Sequence, residues 1–154
     1  MANRAHDHER CIREALAAAA RICAARGAQL TRTRRRVLEL VWSSHRAVKA
    51  YEILERLGDR DRPAKPPTVY RALDFLIEQG LVHRVDSLNA YVGCARPGKA
   101  HQGQLLICSA CGIVDELDEA AIGGAIAAAA ARNGFTIRQQ TVELRGLCGQ
   151  CRSA

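Results

Sequence analysis

The sequence predicts an α+β fold, an N-terminal winged helix-turn-helix followed by a small α/β domain. Three observations carry this expectation. Four segments with helical apolar spacing are followed by two short strand-like pieces around a tight turn. After a Pro-Gly break the chain reads strand, strand, helix, strand. The charge also divides at that break: residues 1–98 hold 18 Lys and Arg against 11 Asp and Glu, whereas residues 99–154 hold 5 of each, so the whole formal charge of +7 lies in the first part. Basic surface confined to one segment is the footprint of a polyanionic partner, usually nucleic acid, although a solvated basic face has the same composition.

Each element has its own signal. A first helix is expected over 8–25, where Ile12, Leu16, Ala19, Ala20 and Cys23 recur at helical spacing and Gly27 follows as a stop. In TRTRRRVLELVW, Thr31 or Thr33 caps a second helix with Val37, Leu38, Val41 and Trp42 on its apolar face. AYEILERL (50–57) is a third, with Ile53, Leu54 and Leu57 inward. After the polar loop GDRDRPAK, Pro66 and Pro67 sit where only a helix start tolerates them, and TVYRALDFLIEQ follows, closed by Gly80. Val69, Leu73, Leu76 and Ile77 face the core, leaving Thr68, Arg71, Asp74 and Glu78 on the other side.

LVHRV (81–85) and AYVGC (90–94), separated by DSLN, form the expected hairpin wing, which makes the helix from Pro66 the one that enters a major groove. RPGK (96–99) has linker punctuation. The expected organisation is therefore a winged-helix domain over 1–95, a hinge over 96–100 and a second domain over 101–154. The second domain reads as strand 104–108, strand 112–117, helix from 118 to about 132 ended by Asn133-Gly134, and a long strand through FTIRQQTVELRGL. About 55 residues make a small core, which calls for a staple, a partner subunit or both.

MANRAHDHER is polar with no apolar run behind it, unlike a secretory signal, and the uncharged stretch Ala120 to Ala131 is far shorter than the roughly 20 residues a bilayer requires. A soluble, cytoplasmic protein without a membrane partner is expected. In a reducing compartment seven cysteines point to metal or thiol chemistry rather than disulfides. CSAC (108–111) is matched by CGQC (148–151), giving two C-x2-C knuckles 36 residues apart. Four thiolates in that pattern close a tetrahedral shell around a structural zinc, with Gly112 and Gly149 suited to the turns that aim backbone amides at sulfur. A redox pair needs only one C-x-x-C and leaves the second idle. Outside these four, His83, Cys94, His101 and Glu116 straddle the expected domain boundary and are chemically able to bind zinc, though a lone wing histidine is commonly a surface residue.

KPPTVYRALDFLIEQGLVH, followed by YVGC, LLICSACG and GLCGQC, closely resembles the ferric uptake regulator family and, within it, the zinc uptake regulator branch. The likeness covers nearly the whole chain. It implies a homodimer with an N-terminal winged-helix DNA-binding domain and a C-terminal α/β dimerisation domain. It implies two zinc ions per chain, a structural one on Cys108, Cys111, Cys148 and Cys151 and a regulatory one on His83, Cys94, His101 and Glu116. It also places Tyr51 and Arg71 at DNA contacts, to which Lys65, Thr68 and Tyr70 are added from the same region. Two departures set the chain apart from iron-type members. KAHQGQLLIC has one histidine where those carry a His-rich run, and Ala47 stands where they carry a histidine, with His45 two residues early. Cys94, a soft thiolate, also favours zinc over ferrous iron.

The cluster Arg32, Arg34, Arg35 and Arg36 at a helix start suits phosphate contacts, with a solvated helix face as the alternative. Cys11 and Cys23 read as small buried hydrophobes, His6 and His8 as part of a disordered start, and 125–131 as a close-packing helix. The function expected is a zinc-responsive repressor that binds operator DNA as a dimer and controls zinc uptake genes, with no small-molecule substrate. The alternatives are an iron or manganese sensor of the same fold, a thiol-disulfide enzyme using CSAC, and a zinc-stapled interaction module. No nucleophile–base pair or carboxylate cluster supports an enzyme.

Overall fold

Helices α1 (His8–Ala25), α2 (Arg32–Val41), α3 (Ala50–Leu57) and α4 (Pro66–Glu78) form the first layer. The structure is a computed structural model and describes residues 8–58, 64–98, 103–138 and 140–153. His6, His101 and part of the expected hinge, residues 99–100, lie outside the described residues. Thr31, rather than Thr33, caps α2 by accepting from the Arg34 amide, and Glu52 performs the same service for α3 by accepting from the Lys49 amide at 2.7 Å. Pro66 and Pro67 open α4 as expected, since their missing amides are unpaired at that position anyway.

Leu16, Ala19 and Cys23 of α1, Val37, Leu38, Leu40 and Val41 of α2, Ile53 of α3, and Val69, Ala72, Leu73 and Leu76 of α4 meet in one apolar core. Leu54, Leu57 and Ile77, expected inward, are only partly buried at its rim. Strands β1 (Val82–Val85) and β2 (Ala90–Gly93) pair antiparallel as the wing, joined by a short 3-10 turn over Asp86–Leu88. Val48 pairs with Tyr91 through two amide hydrogen bonds of 2.8 Å, which stitches the wing to the approach of α3.

The wing is covered on both sides. Val82 and Tyr91 join the helical core, while Val85 and Val92 pack with Leu105, Ile107 and Val114 in a second apolar cluster. Trp42 closes against the backbone of Gly93 so tightly that a Cβ there would lie 2.3 Å from the indole ring, which leaves glycine as the residue that fits. The second cluster belongs to a three-stranded sheet of order β4-β3-β5, in which β3 (Gly103–Cys108) runs antiparallel to β4 (Val114–Leu117) and parallel to β5 (Thr141–Gly146). Helix α5 (Ala120–Arg132) makes the crossover, its start capped by the Glu119 carboxylate.

Three expectations need correction. The long last strand is shorter among the described residues, where regular pairing with β3 begins at Thr141. A four-residue helix α6 (Gly149–Arg152) lies inside the second knuckle, so Gly149 starts a helix, whereas Gly112 does take the left-handed conformation at φ 73°. The Ala-rich helix α5 does not pack closely within the chain, since Gly123 is its one buried residue among those described.

Candidate metal centres and nucleic-acid interface

The two knuckles meet at the end of the three-stranded sheet. Cys108 ends β3, and a tight turn with Gly112 donating to the Cys108 carbonyl at 2.9 Å brings Cys111 back beside it. Parallel pairing of β3 with β5 aligns Cys108 with Gly146, which delivers Cys148 and Cys151 to the same place. All four sulfurs lie within 4.8 Å of one another, and Cys111 Sγ is 3.8 Å from Cys148 Sγ. A disulfide would bring two sulfurs to about 2.05 Å. Four sulfurs about 2.3 Å from a common centre are about 3.8 Å apart, the edge of a tetrahedral zinc shell.

Backbone amides tune these thiols. Those of Cys111 and Cys148 stabilise the Cys108 thiolate and bring its pKa down to about 6, the Cys148 amide lying 3.4 Å from that sulfur. The Cys151 amide, first among its partners, lowers Cys148. Cys151 is pushed up to about 12, chiefly by hydrogen bonding with Cys148 and Cys111, which favours its protonated form. Such a cluster is fully ionised only around a cation, which is the chemistry of a structural metal site.

A second cluster joins the wing to the sheet. Strand alternation and the β1–β2 register put His83 opposite Val92, with Cys94 two residues beyond Val92, so both ligand candidates face the sheet. Glu116 comes from β4, where it pairs with Leu105. His83 Nε2 lies 3.1 Å from Glu116 Oε1, while the Ala95 amide donates to Glu116 Oε2 at 3.0 Å. The donor atoms of His83, Cys94 and Glu116 lie within 4.8 Å of one another. Burial, assisted by the nearby Glu116 charge, pushes the Cys94 thiol up to about 12. A buried thiol beside a buried carboxylate, with an imidazole, fits a divalent cation better than it fits solvent. Arg96 and Asp118 form an ion pair just outside this cluster.

The basic half presents an exposed face around α3 and α4. Tyr51 is 56% and Tyr70 49% exposed, large values for aromatic side chains, and Lys65, Thr68 and Arg71 are exposed beside them. Arg34 behaves differently. Its guanidinium lies 3.6 Å over the Phe75 ring and donates to the Gln29 carbonyl at 2.6 Å, which ties α2 to α4. Arg35 and Arg36 pair with Glu39. Among the described residues Cys23 is buried as expected and Cys11 partly so, while the His8 ring lies 5.0 Å from that of His45.

One carboxylate had no sequence signal. Glu143 of β5 accepts from the Asp86 amide at 2.6 Å and the Ser87 amide at 3.1 Å, although 57 and 56 residues separate them. Burial opposes its ionisation, but hydrogen bonds from the Ser87 hydroxyl and these two amides outweigh that and hold the carboxyl below its ordinary range. Only the pairing of β5 with β3 reveals it.

The profile of the ferric uptake regulator family matches residues 25–145. The chain belongs to that family. It is 43% identical over 139 residues to the zinc uptake regulation protein of Escherichia coli (strain K12), covering 90% of this chain and 81% of that protein. Among solved structures, a zinc uptake regulator complexed with zinc and DNA superposes with a TM-score of 0.86 at 42% identity, covering 92% of this chain and 95% of that one. Holo XcZur superposes at 0.82 with 42% identity, over 90% of this chain and 97% of the other. Apo XcZur, at 40% identity over 92% and 97%, reaches 0.53. The chain therefore superposes more closely on holo than on apo XcZur. No helix among the described residues is long and apolar enough to cross a membrane.

Proposed function

We propose that this chain is a zinc-responsive transcriptional repressor that binds operator DNA as a homodimer when zinc-loaded and controls zinc uptake genes from the cytoplasm. The observation that carries this reading is the second cluster: His83 and Cys94 from the wing and Glu116 from the sheet converge across the junction of the two halves. The zinc-bound, DNA-bound structure that superposes at 0.86 supports the same reading.

Each chain takes two zinc ions. Cys108, Cys111, Cys148 and Cys151 hold a structural one, and His83, Cys94, His101 and Glu116 hold the regulatory one. Support for His101 comes from Gly103, two residues on, where an added Cβ would lie 3.5 Å from His83 Nδ1, so the chain passes the imidazole there. When bound, zinc supplies the divalent charge and tetrahedral directionality that these ligands lack among themselves. The protein residues do the rest. His83 and Cys94 commit the wing, Glu116 commits the sheet, and the winged-helix domain over 1–95 is thereby oriented relative to the domain over 101–154 across the hinge at 96–100.

The C-terminal half is the dimerisation surface. Leu106 and Leu144 are 38% and 47% exposed on the sheet face opposite the wing, and α5 buries one residue in its own chain. A small sheet and an Ala-rich helix left uncovered in this way suit a second copy. On the DNA side, Arg71 reaches a base edge from α4, while Tyr51, Lys65, Thr68 and Tyr70 contact backbone or base, and the arginines near the start of α2, Arg34 included, add positive potential. The chain has no catalytic role.

The test is an operator titration with and without a chelator that strips the regulatory zinc. Tight binding in zinc and weak binding in chelator is expected. Equal binding in both overturns the reading.

A further inference from the structure

Across the β4-β3-β5 sheet, Leu105 pairs with Glu116 on one side and with Glu143 on the other, so a single row holds two carboxylates flanking one core leucine. All three side chains face the wing, because residues opposite one another in a sheet share a face. Leu105 packs with Val85 and Val92, and each acid grips one end of the hairpin. Glu116 meets His83 and the Ala95 amide at the base. Glu143 meets the Asp86 and Ser87 amides at the turn. That turn has no side-chain cap of its own, Val85 standing at the capping position. The Asp86 carboxylate is drawn aside by Arg84 at 3.0 Å.

We propose that Glu143 is a positioning residue of the metal switch: by bonding the turn of the wing it holds the hairpin against the sheet in the arrangement where His83, Cys94 and Glu116 converge, and so strengthens metal uptake and operator binding together. The inference rests on the zinc-responsive reading above. Carboxylate-to-amide hydrogen bonds are charge-assisted, and two from one strand fix orientation as well as position. An interface ordered in advance costs less to order on binding, and the benefit to one ligand is reciprocal for the other. Glu143 lies across Leu105 from Glu116 and bonds the turn of the wing, so its effect on the candidate ligands passes through the placement of the wing.

The experiment compares the full-length parent with Glu143→Ala and Glu143→Gln by amide hydrogen exchange, by chelator competition for the second zinc without DNA, and by zinc-saturated operator titration. In Glu143→Ala, exchange should rise at Asp86 and Ser87. It should rise also at Ala95 and Val114, whose amides donate to Glu116 and to the His45 carbonyl elsewhere on the same interface. Affinity for the second zinc and for operator should each fall about tenfold, with the four-cysteine zinc retained. Glu143→Gln, which keeps one acceptor oxygen, should lie between, and it carries the comparison if the alanine variant does not fold. Faster exchange at Asp86 and Ser87 alone, with parental zinc and operator affinity, reduces Glu143 to a local cap and overturns the proposal. A parent that binds operator regardless of zinc overturns the repressor reading instead, and exchange at Ala95 and Val114 then decides the role of Glu143 by itself.

Discussion

The two metal-competent clusters are built from different donors and by opposite routes. Cys108, Cys111, Cys148 and Cys151 come from one end of one sheet, as two local knuckles whose own amides stabilise thiolate. His83 comes from a strand of the wing, Cys94 from the residue just after its other strand and Glu116 from the sheet, and the Cys94 thiol is held up by burial beside a carboxylate. The first cluster forms whenever the C-terminal half folds. The second exists only when the wing docks. In the proposed function the first stabilises a domain, and the second reports a relation between domains.

Breaking the first cluster should have the largest effect. Structural zinc of this type contributes an apparent free energy of about 10 kcal/mol or more, so Cys111→Ser should lose the folded C-terminal half and the dimer, as read by size-exclusion chromatography and zinc content. A dimeric, normally responding variant would erase the distinction. Cys94→Ser should spare fold, dimer and four-cysteine zinc while removing most of the zinc dependence of operator binding, a coupling of about 1–3 kcal/mol. In a chelator time course on the parent, one zinc per chain should leave early, with operator affinity, and one late. Simultaneous loss of both ions would show that the clusters are not independent.

Two smaller substitutions sharpen the contrast within the basic half. Arg71→Ala should cost about 1–3 kcal/mol of operator binding and relax preference at one base pair, as measured against a panel of singly substituted operators. Arg34→Ala should act mainly on stability. It removes the contact with Phe75 and the bond to the Gln29 carbonyl, about 1 kcal/mol in thermal or denaturant unfolding, with base preference unchanged. A change of base preference in Arg34→Ala would instead place that residue in the groove.

Most of the helical half was legible because its signals are local. The span of α1, the proline start of α4 and the boundaries of α3 follow from capping, periodicity and breakers within a few residues. The four-cysteine cluster was legible for the same reason, since each knuckle is a four-residue pattern. Elements set by their pairing partners are less legible. FTIRQQ alternates like a strand, yet among the described residues regular pairing with β3 starts at Thr141. Helix α5 was expected to pack closely, but apolar composition does not say whether its neighbour is in the same chain.

By itself the sequence determined the helices, the wing, the knuckles and the division of charge, all of which rest on interactions between residues near one another along the chain. Tertiary structure decided what depends on strand order and docking. It placed Arg34 over Phe75, set Trp42 on the backbone of Gly93, and put Glu116 and Glu143 in one row on either side of Leu105. The physical reason is that strand alternation tells which face a residue takes relative to its own strand neighbours, but not which strand lies beside it or what covers that face. A glutamate on β5 reads as an ordinary surface acid until the parallel register with β3 turns it toward the amides of a turn 57 residues away.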